Sequence, residues 1–248
     1  YLFIKNLIKT TSNYFKVGNL TKEMSCISFE GKLENVFDLL QGQITADLKK
    51  LENTDFILSC LCNEKGYILC DFLVTLSKKN NFQIMIKKSL SDAFESEILK
   101  FLPFYNLSIV KEQIDLVFVF NNSPLLKNRI FSKNGLGFAV TKKEGRFETL
   151  DEKQAQINLS LMSFFNFTNA TSKKRPHDVG FNKTHVSFDK GCFRGQEIIA
   201  RTNYLSKSSK QIFPIFLDFD EFLDPKYKEL QRNQVDDGYI LLVSEKIN

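Results

Sequence analysis

The chain has no tryptophan, only two histidines, and few glycines and prolines for its 248 residues (11 and 5). So little glycine and proline excludes collagen-like and low-complexity disordered proteins. No apolar stretch approaches the ~20 residues that span a bilayer. The opening YLFIKNLIKT also lacks the long apolar core and small-residue cleavage site of a signal peptide. We therefore expect a globular protein that has no membrane partner.

Cysteine occurs five times, an odd number with no regular framework. This usage is typical of a reducing compartment, so we expect a cytoplasmic protein. Lysine and arginine exceed aspartate and glutamate by 34 to 29, which gives a formal net charge of +5. That balance permits an anionic partner, such as RNA or a polyglutamyl tail, without requiring one.

The cysteines and histidines do not form a metal-binding pattern. Cys60 and Cys62 are two apart on a predicted strand and share one face, so we expect them to pack in the core. No Cys-x-x-Cys pair or nearby histidine completes a tetrahedral set, and we predict no metal site. His177 and His185 lie near Cys192 in sequence, but a nucleophilic pair would also need an oxyanion site and an orienting partner. A hydrolase is therefore disfavoured.

Strand-like and helix-like segments alternate along the chain without a repeat. TDFILSCLCNEKGYILCDFLVTLS, residues 54–77, predicts a β-hairpin, because two apolar runs flank a polar loop that contains Gly66. LENVFDLLQGQ predicts a helix that ends at Gly42, and SLSDAFESEILKFL predicts a second helix before Pro103. Hairpins make the sheets at least partly antiparallel, which favours an α+β fold. From about Ser206 onward the segments are strands with little helix.

Residues 184–204 read THVSFDKGCFRGQEIIARTNY. A strand-like HVSF and a helix-like GQEIIAR flank a turn that holds Cys192. Lys190, Arg194 and the start of a helix would favour a thiolate at this position. Gly191 and Gly195 would let the backbone approach a bound group closely. The alternative is a buried, inert cysteine in a turn that merely requires glycine. Spacing alone does not decide between these interpretations.

Three segments carry a family resemblance. KGCFRGQEIIAR, residues 190–201, resembles the signature K-G-C-Y-x-G-Q-E-x-x-x-R of YgfZ-type folate-binding proteins, with Phe193 in place of the tyrosine. LLQGQITADL, residues 39–48, is similar to that family's Q-G-Q-x-T-x-D box. CNEKGYILCDFLV, residues 62–74, resembles its second box and also the N-E-x-G-G-I-x-D-D-L-x-V segment of the glycine-cleavage T-protein, an aminomethyltransferase of the same superfamily. We call these segments the first box (39–48), the second box (62–74) and the third box (190–201).

The resemblance implies two domains. Residues 1–205 would form an aminomethyltransferase-like α+β body of two intertwined, ferredoxin-like subdomains around a central channel. Residues 206–248 would form a small β-barrel-like unit. Only 47 residues follow Arg201, fewer than a closed six-stranded barrel usually needs, so we expect this barrel to be reduced or partly open.

The resemblance also implies a set of site residues. Asp71 falls where the T-protein carries the aspartate that handles the folate nitrogen chemistry, and it would face the folate. Without the resemblance, a polar residue on the solvent face of a hairpin is the simpler interpretation of Asp71. Cys192 would be the functional thiol, and Lys190 and Arg194 its electrostatic setting. Asp71 and Cys192 are thus the predicted catalytic pair. The predicted folate-binding residues are Asp71, Lys190, Phe193, Arg194, Gln196, Glu197 and Arg201.

The family's folate site differs from this sequence in two ways. Its I-E-x-G-x-P segment corresponds here to LMSFFNF, which carries Ser163 in place of the acidic residue. Its tryptophan positions cannot be tryptophan here. We therefore expect tetrahydrofolate, or a folate derivative, to bind with weakened affinity.

The function implied is that of a folate-binding protein that supports iron–sulfur cluster assembly or repair and the tRNA-modifying enzymes that depend on it. The expected partners are folate, iron–sulfur proteins or tRNA-modifying enzymes, and a weak tRNA contact, with the protein itself a monomer. We do not expect a conventional turnover enzyme. One alternative is a tetrahydrofolate-dependent aminomethyl- or methyltransferase, and another is an RNA-binding module.

Overall fold

The computed structural model describes residues 14–20, 22–77, 80–112, 115–120, 129–133, 136–141, 147–163, 173–206 and 209–247. Its strands are β1 (Gly18–Asn19), β2 (Met24–Glu30), β3 (Phe56–Cys62), β4 (Ile68–Leu76), β5 (Phe82–Lys87), β6 (Ser108–Glu112), β7 (Asp115–Phe120), β8 (Arg129–Lys133), β9 (Leu136–Thr141), β10 (Ser209–Asp218), β11 (Tyr227–Val235) and β12 (Gly238–Ile247). Its α-helices are α1 (Leu33–Gln43), α2 (Lys88–Ile98), α3 (Leu102–Tyr105), α4 (Glu152–Leu161) and α5 (Gln196–Leu205). Short 3-10 helices cover Leu48–Glu52, Pro176–Val179 and Phe181–Lys183.

The chain divides into two compact units. The first unit takes its described residues from Tyr1–Glu23, Ile114–Asn166 and Lys210–Asn248, and the second takes them from Met24–Gln113 and Phe167–Ser209. The C-terminal strands are thus grouped with two earlier segments of the chain. The predicted domains, residues 1–205 and 206–248, stay a prediction.

The second unit is built on a five-stranded sheet in the order β3-β4-β5-β2-β6, with antiparallel neighbours. β3 and β4 form the hairpin predicted over 54–77, and Gly66 in its turn has a φ of 72°. Their nearly continuous apolar runs are buried, as strands covered on both faces require. On one face the ring of Phe72 meets the ring of Phe94 on α2, with centroids 5.1 Å apart.

Helix α1 begins where predicted but does not end at Gly42. It runs one residue further, to Gln43, and the chain then turns extended at the buried Ile44. No atom lies within 4 Å of a Cβ placed on Gly42, so glycine is not needed there for space. Burial of Ile44, rather than a glycine stop, therefore ends the helix.

The first unit contains two sheets, one in the order β1-β7-β9-β8 and one in the order β10-β12-β11. Helix α4 packs on β11 and β12. It is capped by Asp151, whose side chain accepts a hydrogen bond from the amide of Gln154. Asn158 on this helix pairs with the backbone of Lys16 as a strand would, accepting from its N–H at 3.2 Å and donating to its carbonyl at 2.7 Å.

The C-terminal strands form an open sheet instead of a barrel. β12 lies between β10 and β11, and the two outer strands do not pair with each other. Three strands are too few to curl until the first meets the last. The prediction of a barrel-like unit is corrected accordingly, whereas its expected openness is confirmed. The strand pairs whose register is described are antiparallel, and the sheets combine with helices, as expected for an α+β fold. None of the described helices has the length and hydropathy that a membrane span requires.

The Phe72–Phe94 contact gives a test of this core. Both side chains have no exposed surface. Phe94→Ala should therefore destabilise the chain by about 3–5 kcal/mol, as large-to-small core changes do. The matched control is Phe104→Ala, since Phe104 is 81% exposed and its loss should change stability by less than about 0.5 kcal/mol. Urea-unfolding midpoints measure both effects, and equal midpoints for the two variants would contradict this packing.

Candidate functional site

The third box lies in an irregular turn that leads into α5. The strand predicted for HVSF does not form, because the amide of Ser187 donates to the carbonyl of Thr45 (3.0 Å) rather than to a sheet neighbour. Cys192 is exposed at the end of the turn, and a Cβ placed on Gly191 would meet nothing within 4 Å. The alternative of a buried cysteine at 192 is therefore wrong. Helix α5 begins at Gln196, after Gly195.

Lys190 is buried and points away from the surface. Its Nζ donates to the carbonyl oxygens of Gln41 (2.7 Å), Ile44 (2.8 Å) and Ala46 (2.9 Å), all in the first box. Three acceptors match the three N–H donors of an ammonium group. Burial lowers the pKa of Lys190 to about 8, and the nearby Asp47 carboxylate opposes this. At neutral pH the ammonium form therefore clamps the first box to the third.

Further hydrogen bonds join the same two segments. The amide of Arg194 donates to the carbonyl of Gly42 at 3.1 Å. The hydroxyl of Thr45 donates to the carbonyl of His185 at 2.6 Å. The side chain of Ser187 accepts from the amide of Asp47 at 3.0 Å. Together with Lys190, these contacts fix the path of the turn from Ser187 to Arg194 along the first box.

Arg194 links the third box to two other elements of the second unit. Its guanidinium lies 2.6 Å from Glu64, in the turn of the β3–β4 hairpin, and 2.7 Å from Glu97 on α2. The side chain of Arg194 is 14% exposed and that of Glu97 is 20% exposed, so this ion pair is only partly screened by solvent. The positive charge of Arg194 is thus shared between two carboxylates.

Two glycines bring the second box against the third. Gly195 has a φ of 79°, and a Cβ there would lie 2.5 Å from the carbonyl oxygen of Asn63 and 3.2 Å from the Cα of Gly66. Any side chain at 195 would therefore strain the backbone and collide with the hairpin turn. Ile199, one turn into α5, lies next to Gly66 and is buried. The three boxes thus meet within the second unit.

Asp71 lies on β4, opposite Cys60 of β3. It is 1% exposed, which excludes the solvent-face interpretation. Both carboxylate oxygens are buried, and neither accepts a hydrogen bond from another residue in the described part of the chain. Burial raises the pKa of Asp71 to about 7, against the opposing effect of the positive charge on Lys87. A buried carboxylate without a hydrogen-bond donor is unfavourable, so Asp71 is a polar group that the described residues leave unsatisfied.

The other predicted site residues fall around the turn. Phe193 is buried, and its ring centroid lies 5.2 Å from the Nζ of Lys190. The side chain of Gln196 accepts from the amide of Phe193 at 3.3 Å. Glu197 and Arg201 are exposed on α5. Lys190, Phe193, Arg194 and Gln196 are therefore brought together, whereas Asp71 has no hydrogen bond to this turn.

Sequence reasoning missed the partners that hold these residues. Glu64 and Glu97, which bind Arg194, come from separate elements, and Lys87 is 3% exposed although lysine is usually found at the surface. No local pattern identifies such long-range contacts. Ser163, in the first unit, is buried with a φ of 58°, and its hydroxyl has no hydrogen-bond partner.

The expected core cysteines are confirmed. Cys60 and Cys62 are fully buried, and burial raises the pKa of both thiols. Among the residues that the structure describes, no three histidine, cysteine, aspartate or glutamate side chains lie where they could hold a metal ion.

The Lys190 clamp predicts a large effect of its removal. Lys190→Met should leave the carbonyls of Gln41, Ile44 and Ala46 without a donor. Since each buried unpaired group costs about 1–3 kcal/mol, the free energy of unfolding should fall by at least about 2 kcal/mol. The amides of residues 41–48 should also exchange faster with solvent. The control is Lys183→Met, which removes an exposed lysine of the same segment. Unchanged exchange in Lys190→Met would show that the clamp does not hold the first box.

Comparison with known proteins adds relatives in sequence and in fold. No family model matches the chain. Among curated proteins, the tRNA-modifying protein YgfZ of Buchnera aphidicola subsp. Baizongia pistaciae is 25% identical, over 80% of this chain and 73% of its own length. The proteins of that name from Photorhabdus laumondii and Serratia proteamaculans are each 23% identical, over 70% of this chain and 63% of their own length. The chain thus spans less than two thirds of the latter two.

A solved structure has a similar fold. The glycine cleavage system aminomethyltransferase T from Bartonella henselae matches with a TM-score of 0.64, over 96% of this chain and 81% of its own length, at 13% identity. At that identity the match concerns the fold alone. The resemblance stated from the three boxes is confirmed: the chain is similar in sequence to proteins named tRNA-modifying protein YgfZ, and similar in fold to an aminomethyltransferase T.

Proposed function

We propose that this protein binds tetrahydrofolate or a related reduced folate, and that it supports tRNA-modifying enzymes that depend on iron–sulfur clusters. The observation that carries the proposal is the buried Asp71 carboxylate, whose two oxygens have no hydrogen-bond partner. It lies in a fold similar to that of a glycine cleavage system aminomethyltransferase T and in a sequence similar to YgfZ proteins. The name of those relatives supports the tRNA-modification part.

The residues present fit part of a reduced folate. The pterin ring of a folate carries adjacent N–H donors on one edge, and an ionised carboxylate accepts two such bonds side by side. Asp71 supplies this group. The sequence has Ser163 at the position where the family resemblance implies an acidic residue, so we keep the expectation of weakened affinity. When bound, tetrahydrofolate would supply a reduced pterin that can carry a one-carbon unit.

The third box would serve the protein partner. Cys192 is exposed, while Lys190 and Arg194 hold its turn from the protein side. Glu197 and Arg201 lie exposed on the adjoining helix. We propose that an iron–sulfur protein or a tRNA-modifying enzyme docks here, that Cys192 is the functional thiol, and that the contact with tRNA itself is weak. The five unpaired cysteines support the cytoplasm as the compartment.

Calorimetric titration of tetrahydrofolate into the purified chain tests the folate site. We expect specific binding that Asp71→Asn weakens at least tenfold, because a hydrogen bond to a charged group contributes about 1.5–3 kcal/mol. The matched control is Asp92→Asn, which changes an exposed aspartate on α2.

The binding of tetrahydrofolate should also weaken as the pH falls through about 7, since protonation of Asp71 removes one acceptor. Equal affinity of the wild type and Asp71→Asn would contradict a folate site at Asp71.

The thiol of Cys192 can be tested separately. The other four cysteines are buried, so native alkylation with iodoacetamide should modify one thiol per chain. Cys192→Ala should abolish that reaction, leave the unfolding midpoint unchanged, and fail to complement a bacterial iron–sulfur maintenance defect that the wild type corrects. Cys26→Ser removes a buried thiol and serves as the control, with native alkylation retained. Full complementation by Cys192→Ala would show that the thiol of Cys192 is not needed for function.

A further inference from the structure

A buried lysine, Lys87, lies opposite Asp71 on the neighbouring strand. The antiparallel register of β4 and β5 pairs Leu73 with Met85 and Val74 with Ile84. Continued by two residues, this register sets Asp71 opposite Lys87, at the end of β5. Lys87 also pairs with Met24 on β2, so it sits inside the sheet rather than at its edge. Its 3% exposure is unusual for a lysine.

Asp71 and Lys87 share the face of the sheet that is turned away from the helices. Successive side chains of a strand point to opposite faces, and Phe72 contacts Phe94 of α2. Asp71 therefore points to the other face. On β5, Phe82 meets the ring of Phe37 on α1, which places Lys87, five residues further on, on the same face as Asp71.

Lys87 is the cation that acts on the Asp71 carboxylate. Its positive charge opposes the rise that burial causes in the pKa of Asp71. The thiols of Cys60 and Cys70 lie beside Asp71, and burial raises both of their pKa values well above the usual range, so they stay neutral. Further across the same face lie Cys26 on β2, whose pKa burial raises to about 12, and Glu112 on β6, whose carboxylate accepts from the side-chain amide of Gln83 at 2.6 Å. Helix α2, which packs on β4, carries three acidic residues. Asp92 is exposed to solvent, Glu95 forms an ion pair with Lys111, and Glu97 forms an ion pair with Arg194.

We propose that Lys87 is a positioning residue of the folate site: its ammonium group favours the ionised form of the buried Asp71 carboxylate, in which both oxygens can accept N–H donors from a pterin edge. The identity of the ligand rests on the proposed function. The effect of Lys87 on the ionisation of Asp71 does not. A protonated Asp71 would present one donor and one acceptor, which mismatches a pair of N–H groups. Lys87 would thus select ligands with two adjacent donors.

Carboxyl ¹³C NMR on aspartate-labelled protein measures the ionisation of Asp71 directly. The Asp71→Asn variant assigns its resonance. We expect Lys87→Met to raise the pKa of Asp71 by about 1–3, as loss of a close opposite charge does. Lys87→Arg should restore most of the wild-type value. The matched control is Lys88→Met, since Lys88 is the adjacent, exposed residue. An unchanged Asp71 titration in folded Lys87→Met would overturn the proposal.

The same variants separate this inference from the folate proposal. If tetrahydrofolate does not bind the wild type but Lys87→Met shifts the titration, the folate function fails and the electrostatic role of Lys87 stands. If tetrahydrofolate binds and Lys87→Met alters neither titration nor affinity, the role of Lys87 fails alone. If Lys87→Met does not fold, the double variant Lys87→Met/Asp71→Asn tests whether the unpaired Asp71 carboxylate is the cause. Recovery of folding in the double variant would support the interaction between Asp71 and Lys87. If neither variant folds, Lys87 acts through packing that is independent of Asp71, and the proposal is overturned.

Discussion

The arrangement of the candidate site depends on one buried ammonium group. Removing a lysine from water is unfavourable unless its donors are satisfied, and Lys190 achieves this with three backbone carbonyls of the first box. Those carbonyls are available because α1 ends at Gln43 and the next 3-10 helix begins only at Leu48. The residues between make few regular hydrogen bonds of their own. A lysine in the third box therefore requires an irregular loop in the first box.

The second box is held against the third box by a different constraint. Gly195 lets the start of α5 lie against the carbonyl of Asn63, and Arg194 binds Glu64 in the same hairpin turn. The positive charges beside Cys192 are therefore directed into the protein, to carbonyls and carboxylates. They fix the shape of the turn that exposes the thiol. Their effect on the thiol itself stays a prediction, because it depends on how much of that charge remains unscreened at Cys192.

The sequence predicts the local features of this protein better than its long-range ones. The hairpin over 54–77 and the helix from Leu33 follow from apolar periodicity, and the structure has both. The strand expected at HVSF fails because a tertiary hydrogen bond to Thr45 replaces a ladder. The openness of the C-terminal unit follows from its shortness, but the order of its three strands does not, because their own pattern does not specify how they pair. The three boxes predict a site, but Glu97 and Lys87 come from α2 and β5, outside any motif.

The ionisation of Asp71 affects both the stability of the sheet and the proposed function of the protein. In the folded chain burial favours the neutral acid more strongly than Lys87 favours the carboxylate, so the pKa of Asp71 rises to about 7. A ligand that donates two N–H groups to the oxygens stabilises the charged form and lowers the pKa of Asp71. Binding and proton release are therefore linked. An apolar residue at 71 would avoid the unfavourable burial of charge, but it would offer nothing to a pterin edge. Nothing described in the sheet donates a hydrogen bond to the Asp71 oxygens, and the proposed ligand would supply the missing donors.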